Sequence, residues 1–162
     1  MSTHRPAQRI AVGIDGSENS QRAVRWALDN AHSGDTVILV HVWHPYIYGT
    51  ELATAFTIDD SVATALLEEQ FAKFLPTAKE RGIMLKRTLV QGDARNSLQI
   101  PNVDLLVMGA RGHSGIVGLL LGSVADYVTK HSTVPVVVVP PEAHVNEKHT
   151  TPVAKAVVTE SS

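Results

Sequence analysis

Glycines are concentrated in one stretch of the chain, GARGHSGIVGLLLGSVADYV, which begins at residue 109. Five of the eleven glycines lie there within fourteen residues, at Gly109, Gly112, Gly115, Gly118 and Gly122. The stretch follows a predicted strand and precedes a predicted helix. Glycine lets the backbone approach a ligand closely, and the first N–H groups of a helix are unpaired at its positive end. This combination favours the binding of a phosphate group.

Three polar side chains in this glycine-rich loop could contribute to an anion site. The Ser123 hydroxyl could donate to a phosphate oxygen, and Arg111 and His113 supply cationic groups nearby. The sequence contains no G-x-x-x-x-G-K-[ST] motif, which excludes a Walker loop, and no G-x-G-x-x-G motif after its first strand, which argues against a Rossmann dinucleotide site. The alternative interpretation is a flexible connection whose glycines only permit close packing.

Asp15, in the segment VGIDGS, is the second candidate for a binding residue. It ends the first predicted strand and directly precedes the first predicted helix. An aspartate at such a place can cap the turn or the helix. It can equally accept hydrogen bonds from a nucleotide ribose or base, or coordinate a bound Mg²⁺ ion. The local sequence leaves both interpretations open.

The eight histidines do not indicate a metal site. His41 and His44 lie around the end of a predicted strand with no third ligand nearby in the sequence, so a structural role is expected for His41. Asp59 and Asp60 are predicted to begin a helix, where the helix dipole favours acidic side chains. Neither a Gly-x-Ser-x-Gly nor an HExxH motif is present.

Strand and helix patterns alternate along the chain, which predicts an α/β fold with a parallel sheet covered by helices on both faces. The predicted strands are short apolar runs at residues 9–14, 36–43, 84–90, 103–108 and 134–139. Helices are predicted at residues 17–32, from Asp59 to Gly82, and at 124–131. Pro76 is expected to kink or break the long helix. The connection 91–102 is predicted to hold two helical turns at most.

Composition narrows the class of protein. A chain of 162 residues that is 44% hydrophobic and 19% charged is typical of one globular domain. Because cysteine is absent, disulfides, Cys-ligated zinc and thiol catalysis are excluded. The formal net charge of −2 indicates neither a nucleic acid nor an anionic membrane as a partner, and the apolar runs are too short to span a bilayer. We therefore expect a cytoplasmic protein.

The ends of the chain differ from its middle. Residues 1–8 are polar and are predicted to form a flexible N-terminal arm, and residues 142–162 are predicted to form a flexible C-terminal tail. The nucleotide-binding domain is predicted to span residues 9–141.

The pattern Gly109-x2-Gly112-x9-Gly122-Ser123 closely resembles the loop of the ATP-binding branch of the universal stress protein family. The resemblance extends to the segments IAVGIDGSENS, LVHVW and VDLLVMGARG and covers roughly residues 9–140. It implies a five-stranded sheet in the order 3-2-1-4-5, in which the first and fourth strands are neighbours. The short connection 91–102 and the tail after Pro141 depart from the family pattern.

The resemblance also implies a site for ATP, with Mg²⁺, at the carboxyl ends of these two strands. In family terms, an acidic residue contacts the ribose or base, a second-strand residue contacts adenine, and a cradle holds the phosphates and ribose. The matching residues are, in that order, Asp15; Val42; and Gly109, Gly112, Gly122, Ser123 and Val124.

The function that the resemblance implies is a nucleotide-controlled regulatory or binding module of the stress response. No catalytic base is evident in the loop, so an efficient enzyme is not expected. The alternatives are a slow Mg²⁺-dependent ATPase or nucleotide transferase that uses Asp15, or a structural dimer without a ligand. The last strand, from Val134 to Val139, would lie at the edge of the sheet and is predicted to form a homodimer interface.

Overall fold

The computed structural model describes residues 5–45, 60–113 and 120–142. Within these ranges the strands are β1 (Arg9–Ile14), β2 (Thr36–Trp43), β3 (Met84–Gln91), β4 (Leu105–Gly109) and β5 (Val136–Val139). The helices are α1 (Glu18–Asn30), α2 (Ser61–Glu80), α3 (Ala94–Ser97) and α4 (Ser123–His131). Asp59, Gly115 and Gly118, which the sequence analysis singled out, lie outside the described residues.

The sheet has the strand order β3-β2-β1-β4-β5, and all of its neighbouring strands are parallel. This confirms the predicted five-stranded fold. The two central strands, β1 and β4, pair with Val12 opposite Val107. Their carboxyl ends therefore reach the same edge of the sheet, where ligands bind in open α/β folds. Asp15 follows one of these ends, and the glycine-rich loop follows the other.

Side chains that alternate along the strands form two buried layers, one on each face of the sheet. Val12 of β1 packs in a layer with Val24 of α1 and Phe74 of α2. The preceding residue, Ala11, packs in the opposite layer with Val128 of α4. Because both faces of each central strand are covered, these strands are continuous apolar runs, as the parallel arrangement requires.

The helix α2 is not broken at Pro76, contrary to one of the two expectations for this residue. It runs from Ser61 to Glu80 with Pro76 inside it. Proline removes one backbone hydrogen bond, but Phe74 and Ala78 on either side of it are buried against the sheet. Tertiary packing therefore keeps the helix continuous at this point. Among the described residues, no helix has the length and apolarity needed to cross a bilayer.

The strands β4 and β5 begin two residues later than predicted, at Leu105 and Val136. Two causes are visible before β5. The backbone N–H and carbonyl of Val134 both bond to the Ser132 hydroxyl, at 3.2 and 2.8 Å. Pro135 has no N–H to donate to a ladder. The apolar run therefore extends further toward its amino end than the hydrogen-bonded strand does.

Asp35 attaches the start of the chain to the amino edge of the sheet. Its carboxylate is 2% exposed and accepts hydrogen bonds from the backbone N–H groups of Gln8 and His32, at 2.8 and 2.9 Å. It also forms a 2.6 Å ion pair with Arg5. Burial alone would raise the pKa of Asp35, but the hydrogen bonds and the Arg5 charge outweigh it, and the pKa is lowered. Arg5 and Gln8 of the predicted N-terminal arm thus contact the domain.

Candidate functional site

A cleft of about 170 Å³ opens at the carboxyl ends of β1 and β4. Eight of the nine residues proposed from the sequence line it. They are Asp15, Val42, Gly109, Arg111, Gly112, Gly122, Ser123 and Val124. Five elements or connections of the fold contribute them, so the topology brings together residues that are far apart in the chain. Substitution of these residues can test whether they contribute to a binding site.

The carboxylate of Asp15 lies at the end of β1, on one side of the cleft. Its Oδ1 atom accepts the Ser17 backbone N–H at 2.9 Å, and its Oδ2 atom accepts the His113 backbone N–H at 3.2 Å. Burial alone would raise the pKa of Asp15, but hydrogen bonds from Ser17 and Ser20 and the nearby His113 outweigh it and lower the pKa. Asp15 is therefore ionised at neutral pH and acts only as an acceptor.

This geometry combines the two interpretations of Asp15. Its bond to Ser17 is a turn bond of the kind expected from an aspartate before a helix. The helix cap itself is Ser17, whose side-chain oxygen accepts the Ser20 N–H at 3.2 Å. Asp15 also lines the cleft, so its free lone pairs are available to a ligand hydroxyl or amino group.

The amino end of α4 lines the same cleft as Asp15. Gly122 is the N-cap of this helix and Ser123 is its first residue, and no side chain caps the helix. The Gly122 N–H bonds to the Ala110 carbonyl at 2.7 Å, which joins the start of the glycine-rich loop to its end. The N–H groups of the first helical turn have no partner within the helix, as at any helix start. The cleft lining thus contains both an ionised acceptor and backbone donors.

The glycines around the cleft serve different needs. A Cβ atom at Gly109 would lie 2.9 Å from the Asn19 carbonyl oxygen, so glycine is needed there for α1 to pack against β4. A Cβ at Gly112 would lie 3.0 Å from Asp15 Oδ2. A Cβ at Gly122 would approach nothing closer than the Ala110 oxygen at 3.4 Å, which is ordinary contact. Packing therefore accounts for Gly109, but it does not account for Gly122.

The side chains of Arg111 and His113 in this loop have different surroundings. Arg111 lines the cleft, and its Nε atom is buried without a hydrogen-bond partner among the described residues. His113 does not belong to the lining. Its ring instead donates from Nε2 to the carbonyl oxygen of Asp15 at 2.6 Å. Arg111 is thus placed to contact an anion in the cleft. His113 instead contacts Asp15.

Part of the cleft wall is apolar, and the sequence analysis identified Val42 and Val124 in it. Ile14, Leu98 and Met108 also line the cleft and are almost fully buried. Ile14 and Met108 directly precede Asp15 and Gly109, so their place at the strand ends could have indicated them. Leu98 has no such signal, because it follows the short helix α3 and reaches the cleft only through tertiary packing. A flat, uncharged group such as a nucleobase suits this wall.

His41 has the structural role that the sequence predicted. Its Nδ1 atom donates to the Ile14 carbonyl oxygen at 2.9 Å, across the β1–β2 pair. In the part of the chain that the structure describes, no group of three or more histidine or acidic side chains could hold a metal ion. Among the described residues that line the cleft, Asp15 is the only one with a carboxylate. A Mg²⁺ ion there would need most of its oxygen ligands from the phosphates it accompanies and from water.

The fold and this site define a class of parallel α/β proteins with a cleft at the carboxyl edge of the sheet, and comparison with known proteins gives the family. The family described as "Universal stress protein family" matches residues 6–140. The chain therefore belongs to the universal stress protein family. It is 32% identical to universal stress protein PHOS34 and 33% identical to universal stress protein PHOS32, both of Arabidopsis thaliana, with 82% of this chain covered in each case. The chain spans only 61% and 64% of the length of these two relatives.

A solved universal stress protein in complex with cAMP shares the fold, with a TM-score of 0.57 and 29% identity. The comparison covers 83% of this chain and 97% of that one. A universal stress protein family protein from Arabidopsis thaliana with AMP bound has a TM-score of 0.58 and 19% identity, over 91% of this chain and 98% of that one. At that lower identity the second comparison shows the shared fold alone.

Proposed function

We propose that this protein binds ATP in the cleft between β1 and β4 and acts as a nucleotide-controlled regulatory module of the stress response, located in the cytoplasm. One observation carries the proposal. The ionised carboxylate of Asp15 and the start of α4, whose first N–H groups have no partner within the helix, line one cleft that also has an apolar wall. A nucleoside phosphate has the complementary parts, since it joins hydroxyl donors and a flat base to an anion. The cAMP complex of a 29% identical relative agrees with this ligand class.

The volume of the cleft favours a particular placement of the ligand. At about 170 Å³ the cleft is smaller than the roughly 300–1,000 Å³ that encloses a whole drug-sized ligand. We infer that the base and ribose would lie against Val42 and Asp15, and that the phosphates would lie at the rim beside Gly122 and Ser123. Arg111 lines the same cleft and could neutralise phosphate charge.

We expect hydrolysis of the bound ATP to be slow. Phosphoryl transfer needs a positioned nucleophile and neutralised charge. The one carboxylate in the lining, that of Asp15, already accepts two backbone N–H groups and has a lowered pKa, so it is a weak base. Turnover should lie well below the 1–1,000 s⁻¹ that is roughly typical of enzymes. Phosphate release within that range, lost in Asp15→Ala, would instead identify an ATPase.

We also propose a homodimer through β5. The two edge strands of the sheet differ in their side chains, and this difference favours pairing at β5. The edge strand β3 exposes Lys86 and Arg87, and charged side chains discourage pairing of an edge. The opposite edge strand, β5, is a run of four valines without a charge. Antiparallel pairing of two copies would satisfy its free backbone groups, with Pro135 and Pro140 limiting the length of the contact. Light scattering at micromolar concentration should give the mass of a dimer, and a monomer mass would contradict this.

The ligand itself can be tested directly. Mass spectrometry of the small molecules released from freshly purified protein should detect an adenine nucleotide. Calorimetric titration of nucleotide-free protein with Mg-ATP, AMP and cAMP should then show heat, with ATP bound most tightly because it offers the most anionic oxygens to α4. Neither heat nor a rise in melting temperature with any of them would leave the structural dimer without a ligand as the better description.

A further inference from the structure

His113 joins the glycine-rich loop to the end of β1 through two contacts with one residue. Its backbone N–H donates to Asp15 Oδ2 at 3.2 Å, and its ring Nε2–H donates to the Asp15 carbonyl oxygen at 2.6 Å. The preceding Gly112 is close enough that a Cβ atom there would lie 3.0 Å from the same Oδ2. The residues in contact are 98 positions apart in the sequence, so only the folded chain brings them together.

These contacts are part of a longer set of bonds that holds residues 110–113 in place. The Ala110 N–H bonds to the Val139 carbonyl at 2.9 Å, and the Ala110 carbonyl accepts the Gly122 N–H at 2.7 Å. The segment is thus attached to β5 and α4 at one end, and to Asp15 at the other end through His113. Arg111 lies between these attachments, with its Nε atom buried and unpartnered among the described residues. Arg111 thus lies in the cleft between two attached ends of this segment.

We propose that His113 is a positioning residue, which holds residues 110–113 so that Arg111 and the start of α4 face the phosphates of the ligand. The inference rests on the proposed function. It differs from a direct contact of His113 with the nucleotide, because the His113 ring is engaged with Asp15 and is not part of the cleft lining. A group that is already held in its binding geometry loses less freedom when the ligand arrives. The contribution of His113 should therefore increase with the phosphates that the ligand carries and be absent for the nucleoside.

The test compares ATP with adenosine in four proteins: the parent, His113→Ala, His113→Gln and His131→Ala. The last variant is a matched control, because the exposed His131 ring also bonds to one backbone carbonyl, that of Tyr127 at 2.7 Å, at the far end of α4. His113→Ala should bind ATP about 3- to 10-fold more weakly, the range expected for one neutral hydrogen bond, and should bind adenosine as the parent does. His113→Gln keeps a side-chain N–H donor and should recover much of the loss. His131→Ala should match the parent for both ligands.

Two results would overturn the inference while leaving the proposed function intact. One is undiminished ATP binding by His113→Ala. The other is an equal loss for ATP and adenosine, which would mean that His113 supports only Asp15. If the parent binds neither ligand, the proposed function fails instead. Hydrogen exchange in the ligand-free protein then still decides whether His113 holds the loop: residues 109–113 should exchange faster in His113→Ala than in the parent, and unchanged exchange would refute the positioning role.

Discussion

Substitution of Gly122 by valine should weaken ligand binding strongly while it lowers the stability of the folded protein only slightly. Gly122 has a φ of −70°, which any residue adopts, so glycine is not required by the backbone. A Cβ atom there would lie 3.4 Å from the Ala110 oxygen, 3.5 Å from the Arg111 Cα and 3.7 Å from the Gly112 nitrogen. These distances allow an ordinary contact, so the folded domain can accept a side chain at this position.

The expected magnitudes follow from what the new side chain would cover. Loss of glycine at an N-cap should cost about 1 kcal/mol of stability, as for other substitutions by poor caps. The methyl groups of valine would occupy the space beside the first N–H groups of α4, where we place the phosphates. A hydrogen bond to a charged group contributes about 1.5–3 kcal/mol, so each one blocked should weaken ATP binding about 10- to 150-fold. Gly122→Val should therefore bind ATP at least tenfold more weakly, and Gly122→Ala should lie between it and the parent.

Calorimetric titration with Mg-ATP gives the affinities, and circular dichroism with thermal melting confirms the fold. Thr129→Val is a matched control, since it places valine at an exposed position further along α4, away from the cleft lining. It should bind ATP as the parent does. If a folded Gly122→Val protein binds Mg-ATP as tightly as the parent, the phosphates do not lie at the start of α4, and the cradle assigned to the loop is wrong.

Substitutions at three further positions test the fold, each by denaturant unfolding. Gly109→Ala should lower the free energy of unfolding by about 1–3 kcal/mol, because its Cβ would press on the backbone of Asn19. Asp35→Asn should lower it by about 1–3 kcal/mol at neutral pH. Since the folded pKa of Asp35 is lowered, its contribution is present above the ordinary aspartate pKa and is lost on acidification, so the difference between Asp35→Asn and the parent should shrink below about pH 4. Asn102→Ala should cost about 1 kcal/mol because Asn102 has a φ of 58°, whereas Asn102→Gly should cost nothing.

The strands and most of their bounds could be anticipated, since buried parallel strands are short apolar runs and the chain alternates them with helices, whereas the order of the strands was implied by the resemblance to the universal stress protein family. The bounds of β1 and β2 agree to the residue with the bounds predicted from the sequence. The exceptions depend on interactions that an apolar pattern does not record. The Ser132 hydroxyl forms hydrogen bonds with the backbone N–H and carbonyl of Val134. The buried residues of α2 keep the helix continuous at Pro76.

The composition of the site was less accessible to sequence reasoning than its location. The glycine-rich loop and Asp15 each follow a strand, which was enough to place them at one edge of the sheet. Leu98 reaches the cleft from the end of a four-residue helix that has no periodic pattern of its own. The engagement of His113 with Asp15 joins residues that are 98 positions apart in the sequence. Contacts of this kind depend on the tertiary structure, so local spacing could suggest a cationic group at 113 but not which way its ring turns.

The glycines of the loop meet different physical requirements. The sequence does not distinguish these requirements, but the structure does. At Gly109 the absence of a side chain lets α1 approach β4, so this glycine would be needed in a protein of the same packing that bound nothing. At Gly122 neither the backbone angle nor a neighbouring atom of the described residues excludes a side chain, and the residue lies on the cleft at the start of α4. Glycine is a favoured N-cap residue, so the start of the helix accounts for Gly122 by itself. The number and spacing of the glycines therefore do not distinguish a phosphate cradle from a connection, whereas the ATP affinity of a folded Gly122→Val protein does.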